Sequence, residues 1–547
     1  MKKIFLISVT LFVFFASACN NNTRGNGNGN GNGNTEGGET KVYNRNLSIT
    51  PENAYNNLFL DSAALENYIS NQNTDPDVAD RMRSFYNDRN FEFAWFAPDA
   101  IAEQGREFWS LYSYSISSLK DSSFFIRELN KKMPAITSAD SIKVQAGDTS
   151  FIRTELMLTE AFLHYIMKDG KDISNDLLQQ YIPAKKDDLM HAVEVVLSSK
   201  DQGGQNEDAI KAFASVKDQL KIYYDIAKKG GWQSIAYNNK KIKKGSKSTV
   251  IPAIKRRLMI TGELQDNDTT AIFDGLLDSA VKNFQVSHGY TPDGIVTDSL
   301  IKDMNVTAEK RVEQLLINLN RIRWMPAASA GRFIITNIPE YKLHVYEDKT
   351  KMFDMDVVVG KEGSGTVIFT GNLTEIVFSP YWNLPMSIIK KEIMPKMEED
   401  KNYLAEQQME ITGYSNGTPI IRQLPGPKNS LGRVKFLFHN SYNIYFHDTP
   451  AKSLFNKDKR AYSHGCIRLA DPVKMANYLL EDNEKWTPEK ITEAMKLTTE
   501  KYVTLKHSVP VLITYYTAWV DETGRLNLRD DIYQHDNDVA QKMFTNP

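Results

Sequence analysis

Tyr445-Phe446-His447-Asp448-Thr449-Pro450 and, further on, Ala461-Tyr462-Ser463-His464-Gly465-Cys466-Ile467-Arg468-Leu469 are the runs on which the reading of this chain turns. The first is an aromatic, β-type run that ends in a histidine and a turn signal. The second carries a cysteine among polar neighbours. The thiolate is the attacking form of cysteine, and a free thiol with a pKa near 8.5 is only about 3% ionised at neutral pH, so a nucleophilic Cys466 needs a base. His447 can take that proton and later return it to a leaving amine, provided the fold brings the two together. Gly465 lets backbone approach closely, Ser463, His464 and Arg468 supply polar groups, and the amides around Gly465 and Cys466 can form an oxyanion hole. Two plainer readings stand beside this one. A lone cysteine in an apolar setting is commonly an inert core residue, although this setting is not apolar. His439, His447, His464 and Cys466 are all zinc-ligating types, but their spacing fits none of the common structural zinc patterns.

The stretch from Asn429 to Leu469, N-S-L-G-R-V-K-F-L-F-H-N-S-Y-N-I-Y-F-H-D-T-P through A-Y-S-H-G-C-I-R-L, resembles the catalytic segment of the L,D-transpeptidases, in their large multidomain branch. The resemblance implies that Cys466 is the acyl-accepting nucleophile and His447 the general base and acid. It further implies that the backbone carbonyl of Asp448 orients His447 and that Gly465 contributes its backbone to the oxyanion hole. Arg468, Ser463, His464 and Tyr445 are then the substrate-binding candidates. The implied reaction is a two-step acyl transfer. Cys466 attacks the carbonyl of the third residue of a peptidoglycan stem tetrapeptide and D-alanine leaves. The side-chain amine of another stem's third residue then takes the acyl group, giving a 3-3 cross-link. No metal and no organic cofactor is implied. With water as acceptor the same site is an L,D-carboxypeptidase, and a non-catalytic peptidoglycan-binding envelope lipoprotein is the alternative from another class.

At the other end, Met1 to Ala18 carries two lysines, an apolar run from Ile4 to Phe15 and then small residues before Cys19. The apolar run is shorter than the roughly 20 residues that cross a bilayer, so it reads as an export signal. Cys19 stands where a lipoprotein signal places its lipidated cysteine, an ordinary cleaved signal being the alternative. The expectation is an envelope or periplasmic protein tethered to a membrane through an N-terminal lipid. Residues 19–42 are a flexible Asn/Gly tether, with a coil span of roughly 25 Å. With Cys19 lipidated, Cys466 is the only cysteine left, which leaves no intrachain disulfide.

The rest is globular in composition, with 41% hydrophobic and 24% charged residues and a net charge of -2 over 547 residues. Several domains are expected at about 100 to 200 residues each, and the near-zero balance argues against nucleic acid as a partner. The fold class is multidomain α+β: a helical scaffold, a small three-helix peptidoglycan-binding domain, and a β-rich sandwich catalytic domain with a helical cap insert. The scaffold spans 43–240. Thr50-Pro51 and Asp61 read as helix starts, and Leu158, Phe162, Tyr165 and Ile166 share one helix face, as do Phe213, Val216, Leu220, Tyr223, Tyr224 and Ala227. Phe85 to Phe96 and Tyr223 to Trp232 resemble the scaffold region of the same family, and no catalysis is assigned there. Residues 249–306 resemble the small peptidoglycan-binding domain, with A-V-K-N-F-Q and D-G-I-V at the family's positions and a turn at Asp293-Gly294.

A linking helix occupies 307–330, with Val312, Leu315, Leu319 and Ile322 on one side. The catalytic domain spans 331–535, and 536–547 is a tail. Arg332 to Ile338, Leu343 to Tyr346, Phe353 to Val359 and Glu375 to Phe378 read as strands. Between Pro385 and Pro427 the strands are expected to stop, and a cap insert of about 388–425 begins as a charged helix. Asp471-Pro472 starts a helix, so Cys466 is expected in a loop just ahead of helix amides that favour a thiolate. Pro510 to Tyr533 folds back as a hairpin about Asp521 to Gly524.

Overall fold

Thr307 accepts a hydrogen bond from the Lys310 amide and so caps the helix Ala308–Ile322. Val312, Leu315, Leu319 and Ile322 are buried, but so are Arg311, Gln314, Asn318 and Arg321. Buried polar groups of this kind need partners, and they find them on both sides. Gln314 Nε2 donates to Thr517 O (3.0 Å) and Arg529 O (2.8 Å), and Asn318 Oδ1 accepts from Thr517 N (2.9 Å). Arg321 bridges Glu103 (2.7 Å) and Asp536 (2.5 Å). Just beyond the helix, Trp324 packs among Trp95, Phe108 and Phe162 of the scaffold core. The expected linker is therefore a central strut, packed against the helix Glu207–Lys228 and the C-terminal hairpin.

The computed structural model describes residues 43–139, 142–168, 173–237 and 241–545. The expected signal, tether and lipidated Cys19 lie outside them. The chain from Tyr43 onward is one compact unit. Asp61 caps the helix Ser62–Gln72. Thr50-Pro51 opens only a single turn: Asn53 Oδ1 takes the Thr50 amide (2.8 Å) as in a capping box and Ala54 N bonds to Thr50 O (2.8 Å), but no helix continues from it. Ala54 then bridges to Lys185 as extended chain. The helices Ile251–Ile260, Gly275–Ser287 and Asp298–Met304 surround a core containing Leu258, Leu277, Val281 and Phe284. No helix among the described residues is long and apolar enough to cross a membrane.

From Arg332 the chain forms β1 (Arg332–Asn337), β2 (Lys342–Glu347), β3 (Thr350–Gly360), β4 (Phe369–Phe378) and β5 (Trp382–Asn383). Next come β6 (Met409–Ser415), β7 (Thr418–Gln423), β8 (Val434–Phe438), β9 (Phe446–His447), β10 (Ala461–Ser463) and β11 (Ile467–Leu469). The last are β12 (Lys501–Thr514), β13 (Ala518–Val520) and β14 (Leu526–Leu528). The main sheet runs β10-β3-β11-β9-β8-β4-β12-β1-β2, and β2 also pairs with β3, so the sheet closes on itself. Alternate residues of its strands, among them Ile334, Val345, Val357, Ile376, Phe436 and Ile467, fill one apolar interior. The hairpin expected near Asp521 to Gly524 is β13–β14.

The insert differs from its reading as a charged helical segment in which the strands stop. Met386–Ile388, a π-helical turn at Ile389–Ile393 and Met394–Glu399 do form a helical segment. Strands, however, do not stop at Pro385: β6 and β7 form a hairpin that joins β5 in a three-stranded sheet. Asn416 and Gly417 turn it, with φ of 48° and 77°, the left-handed pair a tight two-residue hairpin requires. Leu384, Ile389, Ile393 and Ile421 give the insert a small core of its own.

Candidate active site

β9 and β11 run parallel, with Phe446 opposite Ile467 and His447 opposite Arg468. Phe446 and Ile467 point into the apolar interior. The alternation of side chains along a strand therefore puts Tyr445, His447, Cys466 and Arg468 on the other face, and Ile467 N bonds to Tyr445 O (3.2 Å) to hold that register. Cys466 and His447 are thus diagonal neighbours across adjacent strands, roughly 7 Å apart at their backbones.

His447 is buried, and its Nδ1 lies 2.5 Å from Asp448 O. A carbonyl only accepts, so the proton sits on Nδ1 and Nε2 keeps the lone pair. Burial, reinforced by the Arg468 cation, lowers the imidazole to about 4, so it is neutral at physiological pH. The Asp448 carboxylate is held by the Arg433 amide (2.8 Å) and Lys452 Nζ (2.8 Å), which fixes the carbonyl that orients the ring.

Cys466 is a free thiol, and Sγ points to Asn443 O at 3.6 Å. Burial pushes the thiol up to about 11, opposed by hydrogen bonding from Tyr445 and by Arg468. The expected help from helix amides toward a thiolate is not found. Cys466 precedes a strand, β11, and the helix Pro472–Leu480 begins only after it, capped by Asp471 onto Lys474 N, so its amides do not serve the sulfur. No hydrogen bond joins Cys466 and His447 among the described residues. Burial thus disfavours the charged form of both groups, the thiolate and the imidazolium.

The loop around Cys466 is built by residues that sequence reading had placed at the substrate. Ser463 is buried, donates to Cys466 O (2.5 Å) and accepts from Gly465 N (3.2 Å), so it orders the loop. Because the Gly465 amide is spent on Ser463, it is not free to face an oxyanion; Gly465 O accepts from Thr366 Oγ1 (2.8 Å), which also takes Gly360 N (3.0 Å). Gly465 has φ of +114°, a conformation that favours glycine. Tyr445 packs its ring edge against His447, and burial raises its phenol. His464 is exposed and pairs with Glu392 of the insert's π-helical turn (2.9 Å). Arg468 keeps a buried Nε without a hydrogen-bond partner among the described residues.

His439 lies away from this cluster, in a cleft beside Trp109 and Thr374. Among the described residues no three or more His, Cys, Asp or Glu side chains are grouped to hold a metal ion. Sequence reading missed Asn443, Thr366, Asp448's carboxylate partners and Glu392. Thr366, Arg433 and Glu392 are too far away in sequence to leave a local signal, whereas Asn443 and Lys452 lie within five residues of His447.

Residues 331–539 match the family model of the L,D-transpeptidase catalytic domain, 80–223 that of a scaffold domain, and 248–304 the one described as "Putative peptidoglycan binding domain". A curated Haemophilus influenzae protein named "Putative L,D-transpeptidase" is 31% identical over 254 residues, covering 44% of this chain and 50% of that protein. The chain thus spans about half the length of the curated relative it matches. Among solved structures, an L,D-transpeptidase of Stackebrandtia nassauensis is 12% identical, with 51% of this chain and 95% of that chain covered and a TM-score of 0.20. One from Mycobacterium smegmatis is 14% identical, with 34% and 59% covered and a TM-score of 0.18. Scores this low add nothing to what the family matches show. Residues 331–539 are thus similar to L,D-transpeptidase catalytic domains.

Proposed function

We propose that this protein is a peptidoglycan L,D-transpeptidase of the cell envelope that forms 3-3 cross-links through an acyl-enzyme on Cys466. The observation that supports this most is the shared sheet face of Cys466 and His447, with Nδ1 fixed on Asp448 O so that Nε2 is the only ring nitrogen left to accept a proton. As Sγ attacks the carbonyl carbon of the donor stem's third residue, His447 Nε2 takes the thiol proton. The developing oxyanion is met by the Cys466 amide, which has no partner among the described residues, and by the field of Arg468. Collapse of the tetrahedral intermediate breaks the C–N bond, and His447 returns the proton to the leaving D-alanine amine. The amine of an acceptor stem then attacks the thioester, gives its proton to His447 and regenerates the thiol.

An acyl-enzyme open to water would hydrolyse, so selective cross-linking needs a cover. The insert is that cover in this reading: Glu392 fastens it to His464, two residues before the nucleophile. The same proposal extends to a lipid on Cys19 and a peptidoglycan-facing, membrane-tethered location. Incubation with purified disaccharide-tetrapeptide followed by mass analysis tests the reaction. A dimer lacking one D-alanine supports transpeptidation; tripeptide alone makes the enzyme a carboxypeptidase; no product under conditions where Cys466 alkylates refutes both.

A further inference from the structure

The outer face of the catalytic sheet carries a second polar cleft that the reaction does not use. Along β1, β2 and β3 the inward residues Ile334, Leu343, Val345 and Met355 fill the core. The alternate residues Ile335, His344, Tyr346 and Asp354 line a cleft of about 630 Å3, walled also by Trp519 of β13 and by Tyr290 and Pro292 of the 248–304 unit. That volume lies within the roughly 300–1,000 Å3 of ligand sites.

The walls are fixed to one another. Thr291 N and Oγ1 both donate to Asp458 Oδ1 (3.1 and 2.8 Å), and Arg529 Nη1 donates to Ser287 O (2.9 Å). A Cβ at Gly289 would stand 2.6 Å from Arg529 Nε, so this loop reaches its partner only as glycine. The cleft is therefore pre-formed.

Its charges cancel locally: Lys342 pairs with Asp356 (3.2 Å), Arg460 also with Asp356 (3.0 Å), and Lys351 with Glu522 (3.7 Å). Paired charges of both signs give no field that would select a polyanion or a polycation. What remains unspent is different in kind. Trp519 is half-buried with the Arg529 guanidinium 4.9 Å from its ring centroid, and Tyr346 stacks on Phe333 at 5.0 Å and 8°, which leaves each ring a second face. His344 Nε2 meets Glu340 at 3.0 Å, whereas its buried Nδ1 has no hydrogen-bond partner among the described residues, Asp354 at 3.8 Å being too far. Flat aromatic faces beside paired carboxylates suit a neutral polyol with apolar ring faces.

We propose that this cleft holds the sugar rings of a peptidoglycan glycan strand, jointly between the 248–304 unit and the back of the catalytic domain. This deepens, and rests on, the reading of peptidoglycan as substrate. Isothermal titration of the full chain with neutral N-acetylglucosamine oligosaccharides, which present the sugar rings without a carboxylate, tests it, with Trp519→Ala, Tyr346→Ala and Tyr346→Phe compared. Loss of one stacking face should weaken binding about tenfold in each alanine variant, Tyr346→Phe should bind as the unaltered protein does, and the alkylation rate of Cys466 should not change. If the unaltered chain binds glycan and both alanine variants bind equally tightly, the cleft is not the site, while the peptidoglycan reading stands. If the unaltered chain cross-links stem peptides yet binds no glycan, the glycan site itself is refuted. Should Trp519→Ala fail to fold, Tyr346→Ala against Tyr346→Phe decides alone.

Discussion

Gly432→Ala adds one methyl group beside the proposed active site. Gly432 has φ of +64°, and its Cβ would lie 2.3 Å from Asp448 Oδ2, 2.4 Å from Cγ and 2.5 Å from Cβ. Non-bonded carbons rest about 3.5–4.0 Å apart, so Asp448 must move by roughly 1 Å. It cannot do so quietly, because its carboxylate holds the Arg433 amide and Lys452 and its carbonyl holds His447 Nδ1. The left-handed backbone alone costs alanine about 1–2 kcal/mol. A displacement of that size in a catalytic group costs about 100-fold in rate. Gly262→Ala separates the two effects: its φ is +86°, and nothing lies within 4 Å of the added methyl. Both variants should lose stability in a melting experiment, and only Gly432→Ala should slow acylation of Cys466, by about 100-fold. A folded Gly432→Ala protein that acylates within about threefold of the unaltered one, or a Gly262→Ala protein equally slowed, would refute the claim that Asp448 positions His447.

Thr366→Val keeps shape but orphans Gly360 N–H and Gly465 O; at about 1–3 kcal/mol per unsatisfied buried group it should lower the denaturation midpoint and slow acylation together. His447 titrates near 4 when folded against 6.5 when free, so between those values the unfolded chain binds the extra proton and stability falls as pH drops. The contribution is about 3 kcal/mol across that window, and the difference between the stability-pH curves of the unaltered protein and His447→Gln should show it; parallel curves would contradict a buried neutral imidazole. Glu392→Gln removes one charge of an exposed pair whose energy is about 1 kcal/mol or less. It should leave Cys466 alkylation unchanged and raise the ratio of tripeptide to cross-linked product by up to about fivefold, and an unchanged ratio would demote the insert to surface decoration.

Sequence periodicity located most of the catalytic strands, the buried stripe of Glu207–Lys228 and the Asp61 cap, because each is written within one turn or one alternation. The β6–β7 hairpin was legible too: Asn416-Gly417 is a strong two-residue turn signal, masked by the charged helical run before it. Thr50-Pro51 shows the reverse error, a local helix signal that yields one capped turn before Ala54 pairs with Lys185. At the site, residue types were readable and their wiring was not. Ser463 and Gly465 satisfy each other, and Thr366 braces the loop from 99 positions away. The thiol's upward shift came from packing, which no motif carries. The linking helix was read from its apolar side alone; Arg321 and Asn318 are buried because their partners arrive from Glu103, Asp536 and Thr517.

Intact-protein mass measurement during turnover of the disaccharide-tetrapeptide tests the central claim most directly. The account predicts an adduct equal to the substrate minus D-alanine, carried on Cys466, absent in Cys466→Ala, and formed about 100- to 10,000-fold more slowly in His447→Ala. Product formation by Cys466→Ala, or an adduct that accumulates at the same rate without His447, would contradict it.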